Sequence, residues 1–200
     1  MNSQEMSEHT PESIAAELKR NVQALYLEGR TDLLLQAIGV PLLDELRIEA
    51  AKCQLSRLTI TRDCRFILDD YQHTEIVLQP VHKAVYMLFL AHEEGIAFKN
   101  LDDYRDELTT YYRLAAPSAE REQIAESVGR LVNPLDNAIN EKCSRIKSVF
   151  LSMMDEYRAS YYIISGSMRR HINGSSKVWY ERRKNIALPR HLVHWDSSEL

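Results

Sequence analysis

In the stretch NPLDNAINEKCSRIKSVFLSM, from Asn133 to Met153, a helix start, an apolar helix face and basic charge coincide. With successive side chains about 100° apart, Ile139, Cys143, Ile146 and Phe150 fall in one narrow stripe flanked by Val149 and Met153. That stripe predicts a helix over 136–153 with one side buried against the helix expected downstream of Pro80. The opposite side carries Asn137, Glu141, Ser144, Arg145 and Ser148. Short polar groups and an arginine suit base edges and phosphates, whereas a merely solvated helix more usually carries Glu and Lys. Two readings follow: a recognition-type helix, or a core helix with a wet back.

The charge around this segment is uneven. From Glu141 to Arg190 there are eleven Lys or Arg against four Asp or Glu, whereas residues 1–140 hold fourteen basic against twenty-three acidic residues. A basic segment on an acidic body is the layout expected when one end of a protein meets a polyanion. An ordinary basic surface patch is the plainer account of the same numbers.

Composition narrows the class. Two hundred residues suffice for one domain with an extension or two small domains. The longest apolar run, Val85 to Ala91, is far too short to span a bilayer, so no membrane partner is expected. The acidic, polar start MNSQEMSEHTPES lacks the pattern of a signal peptide, and Cys53, Cys64 and Cys143 lack CxxC spacing. Both features point to a cytoplasmic protein with reduced thiols.

Residues 1–54 read as helical. Thr10 is placed to cap a helix over 11–28 with Pro11 at its first position, and Ile14, Leu18, Val22 and Leu25 repeat at helical spacing up to a Gly29 stop. Asp32 is expected to cap a short second helix ended by Gly39, and Pro41 to open a third. So few residues make a poor independent domain, which predicts a docking or self-association module, with a protein partner or a homodimer as the consequence.

At Leu55 the helical period gives way to alternation. Leu58 and Ile60, Phe66 and Leu68, and Ile76 and Leu78 read as strand positions, with Asp69, Asp70 and Gln72 as turn material. Pro80 opens the strongly apolar VHKAVYMLFLAHEE, expected to be the central core helix and stopped by Gly95. A helix capped by Asn100 or Asp102 follows, with Leu108, Tyr111 and Tyr112 facing the core, and then SAEREQIAESVGRLV. Beyond the 136–153 helix, SYYII at 160–164 and NIAL at 185–188 look like strands bracketing SGSMRRHINGSSKVWYERRK, which reads as an extended β-hairpin loop turning at Asn173-Gly174. Its Arg169, Arg170, Lys177, Arg182, Arg183 and Lys184, with Trp179 and Tyr180 interleaved, are what a phosphate-tracking arm needs. A solvated loop is the plainer alternative.

The order of hairpin, apolar helix, short strand, second helix, polar-faced helix and terminal hairpin resembles the OmpR/PhoB-type winged-helix DNA-binding domain. LQPVHKAVYMLFLAHEEGIAFKNL is similar to that family's first helix and its lead into the second, NAINEKCSRIKSVF to its recognition helix, and YYIISG with NIAL to its wing. LSRLTIT, FLAHEEGI and INEKCSRI also resemble uncharacterised bacterial proteins, which carry no function across. The winged-helix resemblance covers about residues 56–190 and implies an α+β fold, a winged helix behind a short all-α extension, with domains at 1–54 and 55–200. It further implies a DNA-binding transcriptional regulator working on duplex DNA. By position, Asn137, Asn140, Ser144, Arg145 and Ser148 would face the major groove, Lys147 a phosphate, and Arg169 and Arg170 would belong to the wing. The sequence departs from the family in three ways: the N-terminal part is too short and too helical to be the receiver domain that usually precedes this winged helix, SAEREQIAESVGRLV is inserted before the recognition-type helix, and the wing is long.

Enzymatic chemistry finds little support. There is no Gly-rich phosphate loop, GxSxG or HExxH, so neither a cofactor nor a catalytic residue is expected. His191 and His194 lack a third metal ligand, and Cys143 lies on the buried stripe. The competing class is a non-enzymatic interaction or scaffold protein that keeps the winged-helix form without reading DNA.

Overall fold

The computed structural model describes residues 10–172 and 178–196, and their side chains apart from positions 40, 169–172, 178 and 179. The protein is α+β and divides into two compact units, Met1–Ala50 and Ala51–Leu200, so the division falls slightly before the expected boundary at 54.

The first unit is helical. In α1 (Pro11–Leu27) the Thr10 hydroxyl accepts the Ser13 N–H at 3.2 Å, as expected of a cap, with Pro11 opening the helix. Gly29, at φ +70°, takes the left-handed turn that lets Arg30 N–H reach back to the Leu25 carbonyl at 2.8 Å. Thr31–Ile38 forms α2 and Val40–Lys52 forms α3. Asp32 does not cap α2: Arg30 stands at that position, and the Asp32 carboxylate sits in the first turn paired to the Arg30 guanidinium at 3.0 Å. No residue of α1 or α2 is buried, and Ile14, Leu18, Leu35, Leu42 and Leu46 are exposed.

The second unit begins with an antiparallel meander, β1 (Leu58–Ile60), β2 (Phe66–Leu68) and β3 (Thr74–Ile76), in the expected alternation. Leu58, Ile60, Phe66, Leu68 and Ile76 point into the core, while Leu78 lies beyond the strand. Asp69 ties the turn to the first strand by accepting from Arg57 Nε at 2.6 Å and Thr59 Oγ1 at 2.9 Å. A strand that sequence patterning did not suggest, β6 (Val193–Trp195), pairs in parallel with β1, giving a mixed sheet of order β3-β2-β1-β6. His194, weighed above as a metal ligand, is an exposed member of that strand.

Helix α4 (Pro80–Ala91) is the centre of the unit. Every residue from Ala84 to Leu90 is buried, so the helix is apolar on all sides and must be enclosed rather than laid on a surface. Packed around it are α5 (Arg105–Ala115), α7 (Ala138–Met153) and β5 (Val178–Ile186). A 3-10 segment, Phe98–Tyr104, leads into α5, so Asn100 and Asp102 do not cap an α-helix. Leu108 and Tyr111 face the core as expected, and Tyr112 is half-buried. The SAEREQIAESVGRLV segment supplies α6 (Arg121–Val132), whose Ile124, Val128, Leu131 and Val132 are buried. It is therefore part of the common core rather than an appendage.

Helix α7 buries Ile139, Ile146 and Phe150 and half-buries Cys143, Val149 and Met153, as its stripe requires. After it the structure departs from sequence expectation. SYYII does not form a strand: α8 (Glu156–Tyr162) takes its first three residues, capped by Asp155, whose carboxylate accepts the Arg158 N–H at 3.1 Å. The hairpin strands are β4 (Ile164–Ile172) and β5, registered from Ile164 opposite Ile186 to Ile172 opposite Val178. The residues expected to form a loop are thus largely strand, and the Asn173-Gly174 turn lies outside the described residues.

Four aromatic rings lock these elements together. Phe66 meets Tyr86 edge-on at 5.5 Å, Tyr86 meets Phe150 at 5.5 Å, and Phe150 stacks on Tyr162 at 5.6 Å. The Tyr86 hydroxyl donates to the Tyr162 carbonyl at 2.8 Å; the Tyr162 hydroxyl donates to the Ser56 carbonyl at 2.8 Å and accepts the Ser56 N–H at 2.7 Å. We expect Phe150→Ala to cost about 3–5 kcal/mol in chemical denaturation through the cavity it leaves. Tyr162→Phe, which keeps the ring but strands two buried backbone groups, should cost about 1–3 kcal/mol.

Candidate functional site

Because the core holds one side of α7, the other side is fixed in space and turned outward. The helix starts at Ala138 rather than at the expected 136, with Asn137 at its cap position; Asn137 and, along the helix, Asn140, Ser144, Arg145, Lys147 and Ser148 are all exposed, as the sequence predicts. The Asn140 side-chain amide donates to Asn137 Oδ1 at 3.0 Å, and the Ser148 hydroxyl donates to the Ser144 carbonyl at 3.0 Å, so these groups are ordered by one another. Arg145 and Lys147 form no hydrogen bond or ion pair among the described residues. Glu141, the acidic residue on this face, lies 3.5 Å from the ammonium of Lys142.

The basic residues of the hairpin divide into two groups. Arg182 is exposed and without a partner among the described residues, whereas Arg183 is committed to the fold. Its Nε donates to Glu181 at 2.8 Å and its Nη1 to the Gly95 carbonyl at 3.1 Å. The Arg183 guanidinium, and behind it Lys99 at 3.4 Å, hold the buried Glu181 carboxylate below the ordinary glutamate range. Lys184 is half-buried with its ammonium 5.7 Å from the centre of the Phe98 ring. Arg169 and Arg170 stand on β4 opposite Glu181 and Tyr180, while their side chains, and Lys177 entirely, lie outside the described residues.

A backbone contact ties the hairpin to the body. Ile96 and Lys184 exchange both hydrogen bonds, at 2.8 and 2.9 Å, immediately after Gly95 turns with φ +77°. A Cβ at Gly95 would stand 2.7 Å from the Lys184 carbonyl oxygen, so glycine permits the approach that sets the hairpin's position.

Sequence reading missed one feature on the same side of the molecule. His82, counted only as part of a core helix, is 8% exposed, and its Nε2 has no hydrogen-bond partner among the described residues. It lines a cleft of about 370 Å³ together with Gln79, Arg145, Ser148 and Ser152. Burial, reinforced by Lys142 and Arg145 and opposed by Glu141, lowers its pKa below 6.5, so the ring is neutral at physiological pH. The one signal in the sequence is a histidine two residues after the proline that opens an otherwise apolar helix.

Nucleophilic chemistry at Cys143 is disfavoured, because burial pushes its thiol up to about 12 and keeps it protonated. No group of three or more His, Cys, Asp or Glu is placed to hold a metal ion among the described residues, where also no helix is long and apolar enough to cross a membrane. No family model matches the chain, and no curated protein or solved structure is significantly similar to it.

A histidine with a depressed folded pKa stabilises the protein fully above its unfolded value and loses that contribution as pH falls below it. Thermal unfolding followed from neutral pH to about pH 5 should therefore show a loss of stability setting in just below 6.5. His82→Gln should flatten that window and leave the loss at lower pH, where Asp69 and Glu181 protonate.

Proposed function

We propose that this chain is a winged-helix DNA-binding protein of the transcriptional-regulator type, with α7 as its groove-facing helix and the β4-β5 hairpin as its wing. The observation that carries the reading is the outer face of α7 and its cap, where two asparagines, two serines and an arginine unpaired among the described residues stand together on a helix whose other side is anchored to the core. The order of meander, α4, the Ile96 bridge, α5, α7 and hairpin supports it. Two features depart from the family's pattern: α6 intervenes before α7, and α8 intervenes before the hairpin. On this reading the partner is duplex DNA, in the cytoplasm of a bacterial cell, and no cofactor takes part.

A second reading, a protein-interaction module that keeps the same form, is favoured by one observation. Met168, opposite Arg182 in the hairpin, is 65% exposed, and a phosphate-tracking arm has no use for that apolar side chain.

Fluorescence anisotropy with mixed-sequence duplex DNA separates the two. DNA binding predicts micromolar affinity that weakens with salt, and each phosphate that is no longer neutralised should lower the log-log slope by roughly 0.9. Arg182→Ala should show that change, whereas Arg183→Ala, held by Glu181 and Gly95, should chiefly loosen the hairpin. Asn140→Ala and Arg145→Ala should reduce discrimination between sequences by about 1–3 kcal/mol for each bidentate hydrogen-bonded pairing with a base that the substitution removes. If no salt-dependent binding appears, the DNA reading fails.

For the first unit we propose self-association through the apolar residues of its helices, since Ile14, Leu18, Leu35 and Leu46 are exposed on that unit among the described residues. Sedimentation of the full chain should show an oligomer that Ile14→Asp with Leu18→Asp converts to monomer. A wild-type monomer at micromolar concentration would overturn the idea.

A further inference from the structure

We propose that the cleft between the base of the β4-β5 hairpin and Phe98 is a binding site for a small organic anion with an aromatic body. The cleft has a volume of about 420 Å³, which suits a small molecule. One face of the hairpin forms its wall. Gly166 stands opposite Lys184 and Met168 opposite Arg182, and because side chains alternate along a strand, all four positions share that face. Ile164 and Ile186 belong to the same face and are buried in the core, so the face is turned toward the body of the unit. Phe98, at the start of the 3-10 segment, closes the cleft, its ring held edge-on to Phe89 with centres 6.2 Å apart.

The positive charge on this face is not spent on the fold. Arg182 forms no hydrogen bond or ion pair among the described residues. The Lys184 ammonium lies 5.7 Å from the centre of the Phe98 ring and pairs with no carboxylate among the same residues. Arg183, between them, belongs by the alternation to the opposite face, where its guanidinium serves Glu181 and the Gly95 carbonyl. The Glu181 carboxylate is engaged there by Arg183 and Lys99, which leaves Arg182 and Lys184 side by side and uncompensated. Two like charges on one strand face repel, and an anion between them removes that cost.

Gly166 keeps the cleft open. Glycine weakens the interior of a strand, and here the backbone does not call for it. Its φ lies outside the left-handed region, unlike that of Gly95, and within 4 Å a Cβ would meet only the Lys184 ammonium, at 3.7 Å. A larger side chain at this position would occupy the space beside Phe98. That space, bounded by an aromatic ring, a thioether and two cations, matches a planar apolar body carrying a negative group. The body would lie against Phe98 and Met168, and the negative group would accept from Arg182 and Lys184.

A carboxylate or a phosphate monoester can supply the negative group. NMR of the full chain, titrated at constant ionic strength with naphthoate and separately with naphthyl phosphate, tests the site. Saturable shifts are expected at the Gly166 amide and the Met168 methyl with at least one of the two, and the tighter binder identifies the negative group. Naphthylmethanol, which keeps the ring without the charge, and acetate, which keeps the charge without the ring, should each bind about tenfold more weakly or worse. Arg182→Gln and Lys184→Met should each weaken binding by about tenfold through loss of a charge-assisted contact. Gly166→Val, a residue suited to a strand, should keep the thermal stability of wild type and lose binding.

If Gly166→Val does not fold, the two charge variants carry the test. The site is overturned if neither anion shifts Gly166 and Met168, if the alcohol or acetate binds as tightly as the better anion, or if the charge variants or a folded Gly166→Val bind as wild type does. The cleft shares Arg182 with the proposed wing, but these titrations contain no DNA, so their failure leaves the DNA reading standing wherever salt-dependent duplex binding is seen.

Discussion

The structure depends on the hydroxyl of Tyr162. Buried behind the stacked Phe150 ring, it both donates to and accepts from the backbone of Ser56, while the Tyr162 carbonyl takes the Tyr86 hydroxyl. Three elements far apart in sequence, the entry to the meander, α4 and α8, are thereby held at one point. A buried backbone amide left unpaired is expensive, so these hydrogen bonds permit essentially one mutual placement of the elements. Apolar burial alone tolerates many arrangements of similar energy, and the paired tyrosines choose among them.

That placement explains why α7 can present a surface at all. Its buried stripe includes Phe150, which is clamped between Tyr86 and Tyr162, so rotation about the helix axis is suppressed and the Asn137-to-Ser148 face has a defined direction. A recognition surface needs this rigidity, because contacts made by short side chains such as Ser and Asn leave no slack for a mobile scaffold. The same packing brings the N-terminus of α4 beside Arg145 and forms a cleft there.

The hairpin is anchored differently, by backbone and charge. Gly95 allows Ile96 to pair with Lys184, and Glu181 gathers Arg183 and Lys99 around a buried carboxylate. Charge counted along the chain therefore overstates the charge the hairpin has free. Arg183 neutralises Glu181, Lys184 leans over Phe98, and Arg182 is left facing solvent. A basic segment in sequence is an upper bound on a basic surface, since part of the charge is consumed in holding the segment in place.

Local physics made much of this legible beforehand. The 3.6-residue stripe of α7, the Thr10-Pro11 start and Gly29 stop of α1, the alternation of the meander and the unbroken apolar run of α4 each depend on residues within a turn or two of one another, and sequence alone determined them. Elsewhere the outcome lay in distant partners. SYYII has the β-branched and aromatic make-up of a strand, yet the Asp155 cap and the burial of Tyr162 against Phe150 draw its first half into α8. Strand β6 exists only because β1 offers an edge more than a hundred residues away in sequence, and three residues of Val-His-Trp carry no period that could announce it. His82 likewise looked like core filler, and only folding places it beside Arg145 at a cleft, with a ring nitrogen that finds no partner among the described residues. Which side of each element is apolar was written in the order of the residues. What that side meets, and which charges are left over once it has met it, was decided by tertiary structure, because those energies belong to pairs of groups that only folding brings together.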